Sequence, residues 1–145
     1  MVDEGKKIRR KKIKTAVIVF LCVFLIATPL FIFFRITTEA RIAYREAKNV
    51  KLAFDMLEIE YYGRGSSVFD ASALNGMSAG VQARLDEILE HDCDVSILSY
   101  SRKDRAVTAF IYSSDHYRVL YRYDAEKGDT WDVDYLIRIL EYDGE

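Results

Sequence analysis

Cysteine occurs only twice in the 145 residues, at Cys22 and Cys93, and histidine only twice, at His91 and His116. Two cysteines cannot build a disulfide framework, and Cys22 lies inside an apolar run where Cys93 cannot reach it. Cys93 reads as a small buried side chain. So few histidines leave zinc chemistry short of ligands. His91-Asp92-Cys93-Asp94 offers one cluster, but the second, separated pair that a zinc site needs is missing. The motifs G-x-S-x-G and H-E-x-x-H and the phosphate-binding P-loop are absent. Ser66-Ser67 and Ser113-Ser114-Asp115-His116 hold only fragments of hydrolytic chemistry. The expectation is a chain that is not an enzyme, with no catalytic residues, no cofactor, no metal and no small-molecule substrate.

Basic charge is also scarce outside the first residues. Seven basic side chains crowd into residues 1–14 (Lys6, Lys7, Arg9, Arg10, Lys11, Lys12, Lys14), whereas residues 36–145 hold 13 basic against 21 acidic side chains. A domain with that acidic excess does not suit a nucleic-acid backbone, which requires basic groups to displace counterions. The acidic run Asp124, Glu126, Asp129, Asp132 and Asp134 surrounds Gly128 but fails the EF-hand register, since Gly128 falls at position 5 and Tyr135 at position 12. A solvated hairpin is the simpler reading, with a calcium loop as its alternative.

Between Lys14 and Arg35 no residue is charged. Thr15–Phe34 gives 20 residues, and at 1.5 Å per residue such a helix covers the roughly 30 Å of a bilayer's hydrocarbon core. The stretch is longer than a signal-peptide core and no A-x-A site follows it, which predicts an uncleaved anchor. The basic cluster before it outweighs Arg35, Arg41 and Arg45 after it, which predicts a cytoplasmic N-terminus and a C-terminal domain outside. Pro29 interrupts the run and is expected to kink the helix without breaking it.

Residues 36–62 contain no Gly or Pro. Ile36, Ala40, Ala43, Ala47, Val50, Phe54, Leu57 and Tyr61 recur at spacings of four and three, a helical stripe that Gly63 and Gly65 end. If the anchor and this segment are both helical, residues 15–62 make one rod of about 70 Å. The first half of the stripe is mostly alanine, which allows a neighbour to approach closely. Ile36, Ala40, Ala43 and Ala47 are therefore the candidate interface, toward protein partners, self included, or the membrane surface. The large second half is expected to pack on the chain's own domain.

Residues 63–77 read as a loop, and Ser78 is the expected cap of a short helix over Ala79–His91. Runs rich in β-branched and aromatic residues follow at Val95–Tyr100, Ala106–Ser113, Tyr117–Tyr123 and Thr130–Val133. Leu136–Tyr142 is read as a further strand, with a closing helix as the alternative. The late tyrosines (Tyr100, Tyr112, Tyr117, Tyr121, Tyr123, Tyr135, Tyr142) suit a half-buried sheet. Helices that precede strands predict an α+β fold. Its parts are a basic cytoplasmic tail (1–14), a transmembrane helix (15–34), a long helix leaving the membrane (35–62), and an extracytoplasmic domain (63–145) with a short helix and an antiparallel sheet.

Lys6–Lys14, then Thr15–Phe34 with Pro29, then Arg41–Tyr62 with Tyr61-Tyr62 before Gly63, resemble the N-terminal parts of type IV pilins and of type II secretion pseudopilins. The resemblance implies a hydrophobic segment that forms the first half of one long helix, with an antiparallel sheet packed on the second half. It also implies a place in a secretion or pilus assembly of the bacterial envelope. The family's processing site is missing: Gly5 is followed by Lys6, and no glutamate enters the apolar segment. A bitopic scaffold, similar in layout to small cell-division proteins, and an extracytoplasmic sensing or ligand-binding domain are the alternatives.

Overall fold

The structure, a computed structural model, describes residues 2–136, with side chains from Lys12 onward. It is α+β: α1 (Val2–Gly63), α2 (Val81–Leu89), β1 (Asp94–Ser101), β2 (Ala106–Ser113), β3 (Tyr117–Asp124) and β4 (Gly128–Tyr135). The strand expected over Leu136–Tyr142 lies outside the described residues except for Leu136. Two compact units divide the chain, one ending at Glu39 and one beginning at Ala40.

In the first unit α1 is long and apolar enough to cross a membrane. Its large hydrophobic residues from Val17 to Phe34 are between 51% and 71% exposed. A helix apolar on every side and uncovered by protein has the character of a membrane span. The helix runs through Pro29 without interruption. Three hydroxyls inside or just past the apolar run return to the helix's own carbonyls: Thr28 donates to Phe24 (2.8 Å), Thr37 to Phe33 (2.8 Å) and Thr38 to Phe34 (2.9 Å). Such back-bonding satisfies a hydroxyl where water is scarce.

In the second unit the later part of α1 lies under an antiparallel meander in the order β1-β2-β3-β4. Ala43, Ala47, Val50, Ala53, Phe54, Leu57 and Tyr61 form its buried side. Phe110 is fully buried against Phe54 (5.6 Å between ring centroids) and Tyr121 (5.1 Å), and the Trp131 ring packs tilted on Tyr121 at 4.6 Å. Strand alternation places Tyr117, Val119 and Tyr121 inside and Arg118 and Arg122 outside. In β1 the register shifts on both sides of Ser99, and a bulge of this kind bends a strand locally.

The 64–80 segment is better ordered than a plain loop. Phe69 and Met77 form a bridge, Asp70 N–H donates to Gly76 O (3.0 Å), and Ile97 N–H donates to Asn75 O (2.8 Å). The segment thereby covers the free edge of β1. Gly76 has φ +70°, and a Cβ there would collide with the Ile97 carbonyl. Two local expectations are corrected. Gly80, with φ +83°, is the N-cap of α2, because its left-handed conformation turns the chain into the helix, and Ser78 contributes only its carbonyl to Val81 N–H (3.1 Å). The helix is also shorter than expected, since Glu90 at φ 61° stops it.

Tyr112 and Tyr121 are buried, and their hydroxyls donate to Glu46 and Asp129. Burial first, and then these carboxylate partners, push both phenols above the ordinary value of 10.0. A phenol that holds its proton more tightly in the folded state stabilises the fold fully below about pH 10, and that contribution is lost as pH rises through the raised value. An alkaline titration followed at 295 nm is therefore expected to show these two tyrosines ionising together with unfolding. Ionisation of all tyrosines in a folded domain would contradict this.

Candidate functional site

The long helix carries two apolar faces. The buried face belongs to the domain core, and this settles where the alanines go. Ala43 is 3% exposed and Ala47 fully buried, both within the chain's own core cluster. The expectation that these two meet another chain is corrected: their small size lets the helix lie close under the sheet, where Glu46 reaches Tyr112 and Tyr44 meets the Trp131 ring edge-on at 5.5 Å. Ala40 is partly buried against the same core. Ile36, in the first unit, is 38% exposed. The structure thus gathers Ala40, Ala43 and Ala47 into one intramolecular face.

Leu52, Met56 and Ile59 lie on the opposite side of the helix. Their spacings are again four and three, and they are 60%, 60% and 75% exposed. At 3.6 residues per turn this triplet is half a turn away from Phe54 and Leu57. Tyr62, 64% exposed, flanks it, with the Arg105 guanidinium over its ring at 4.4 Å. Scattered exposed hydrophobics are ordinary on a protein surface, but a contiguous row on one helix face is the pattern of an interaction surface. The sequence carried this signal at the same spacing. It is masked because large residues alternate between two faces of the helix.

Charges border the row without entering it. Lys51 pairs with Asp55 (3.0 Å), and Glu60 is held by Arg64 (2.6 Å) and Arg84 (3.1 Å). Exposed pairs of this kind add little stability, but they leave the apolar row flanked by neutralised carboxylates. One turn earlier, exposed Asn49 occupies the same face, and its side-chain amide makes no hydrogen bond among the described residues.

Below the row, Glu58 is the one buried charged residue among those described, at 6% exposure. It accepts from Val68 N–H (3.2 Å), Tyr100 O–H (2.7 Å) and Arg105 Nε (3.1 Å). It fastens α1 to the 64–69 segment and to the β1–β2 hairpin. Sequence reading missed it because a glutamate between Leu57 and Ile59 looks like any solvated helix residue.

The chemistry-bearing residues do not converge. His91 Nδ1 meets the Leu89 carbonyl at 2.8 Å, and His116 sits beside Tyr135. Cys93 is half-buried, not fully, and its thiol donates to Asp86 (3.2 Å). Burial, and then Asp86, raise its pKa to about 12, which leaves it a protonated, unreactive thiol. In the acidic hairpin Asp124 accepts from the Glu126 and Lys127 N–H groups (2.8 and 3.1 Å), an ordinary turn arrangement. Among the described residues no three His, Cys, Asp or Glu side chains come together as metal ligands. Compared with protein-family models, with curated proteins and with solved structures, the chain matches none.

Proposed function

We propose that the chain is a membrane-anchored, pilin-like, non-enzymatic component or accessory of a bacterial cell-envelope assembly of the secretion or pilus type. The observation that carries this reading is the double use of α1. Its first part is an apolar span, and its later part is the central core element under a four-stranded antiparallel meander. The basic residues ahead of the span favour a cytoplasmic N-terminus and an external domain. The lipid bilayer is one partner, and the face formed by Leu52, Met56 and Ile59 supplies a surface for protein, replacing the 36–47 face. That row also fits a bitopic scaffold, which differs in what it accompanies. Affinity purification of the chain from mildly solubilised membranes is the test. Co-purification with subunits of an envelope secretion or pilus complex supports the proposal, and recovery of the chain without any such subunit contradicts it.

A further inference from the structure

The row Leu52, Met56, Ile59 has the alternating four-and-three spacing of a two-stranded helical seam, and Asn49 continues it at the next seam position. We infer that this face is a self-association seam in which two copies pair α1 in parallel and in register. The inference rests on the reading of the chain as a membrane-anchored assembly component, and it names the partner.

Three observations favour a second copy over a foreign partner. The first is direction. Copies anchored by the same N-terminal span enter one bilayer from one side, so their rows run parallel and residue faces like residue across a two-fold axis. The second is Asn49. A side-chain amide carries both a donor and an acceptor, so it satisfies its own copy across that axis. An Asn at such a position is a known selector of parallel register. The third is size and charge. A few side chains fall well short of the roughly 800 Å² per partner of a standard interface. They suffice only for a partner already concentrated beside them, as co-anchored copies are. The register sets Asp55 against the partner's Glu60, and this like-charged juxtaposition is relieved because Lys51 pairs with Asp55 and Arg64 and Arg84 pair with Glu60.

The test uses the full chain in native membranes, with Cys22→Ser and Cys93→Ser as background. Leu52→Cys, Met56→Cys and Ile59→Cys are each oxidised, with Ser99→Cys on the sheet as the comparison. Disulfide-linked dimers are expected at the three seam positions, at least tenfold above Ser99→Cys. In the Met56→Cys chain, Asn49→Asp alone and Asn49→Lys alone are each expected to lower the dimer at least tenfold. Co-expression of the two is expected to restore it, a response that only self-pairing gives. Asn49, the three seam positions and Ser99 are exposed, and unchanged circular dichroism checks that the domain remains folded. The same cysteines carrying a benzophenone maleimide report other partners. Adducts only to a different protein would overturn self-pairing while leaving the assembly reading intact. No protein adduct at any seam position would overturn both.

Discussion

Phe110→Ala is expected to destabilise the domain by about 3–5 kcal/mol, the range for deleting a buried aromatic side chain. Phe110 is fully buried at the middle of β2, and it touches the rings of Phe54, Tyr121 and Trp131. Its removal opens the contact between helix and sheet where rings from α1, β2, β3 and β4 meet. A domain of this size has few other contacts to compensate, and its whole stability is of the order of 5–15 kcal/mol. Trp131 is the only tryptophan and lies in this cluster, so its fluorescence reports the transition directly in urea unfolding of the detergent-solubilised chain. A loss below about 1 kcal/mol would mean that the cluster is not the core.

Glu58→Ala is expected to cost about 2–5 kcal/mol, by a different mechanism. The carboxylate takes the Val68 N–H, the Tyr100 hydroxyl and Arg105. Truncation leaves the buried Val68 amide without an acceptor and the half-buried Tyr100 hydroxyl with Ser67 alone, and an orphaned buried polar group costs about 1–3 kcal/mol. The Arg105 side chain is 38% exposed and regains water, so its share of the loss is small. Glu58→Gln keeps an acceptor and most of the shape, and is expected to lose about 1 kcal/mol. The same urea titration distinguishes the two substitutions. Equal effects from Ala and Gln would show that charge, not hydrogen bonding, holds the joint.

The fold was largely legible because its signals are periodic. The uncharged run to Phe34, the stripe from Ala40 to Tyr61, and the alternation Tyr117-Arg118-Val119 each state a length, a face and a period. The surface was harder to read. Alanine at 43 and 47 signals close approach without saying by what, and here the chain's own sheet approaches. Leu52, Met56 and Ile59 look like core residues until the sheet takes the other side of the helix. Glu58 was invisible because its partners lie 10, 42 and 47 residues away along the chain. Local capping failed at Ser78 because backbone conformation at Gly80, which a composition rule does not see, starts α2.

We propose a domain held at a membrane by its N-terminal helix and exposed on the far side. The measurement that tests it most directly combines alkaline extraction with labelling of a single cysteine, Ser99→Cys, in the Cys22→Ser and Cys93→Ser background. Residue 99 is exposed on β1, so a membrane-impermeant maleimide reaches it whenever the domain is outside. The expected result is that the chain stays with the membranes at high pH and is labelled fully in intact spheroplasts. A chain released into the soluble fraction, or labelled only after permeabilisation, would contradict the anchor or its orientation respectively.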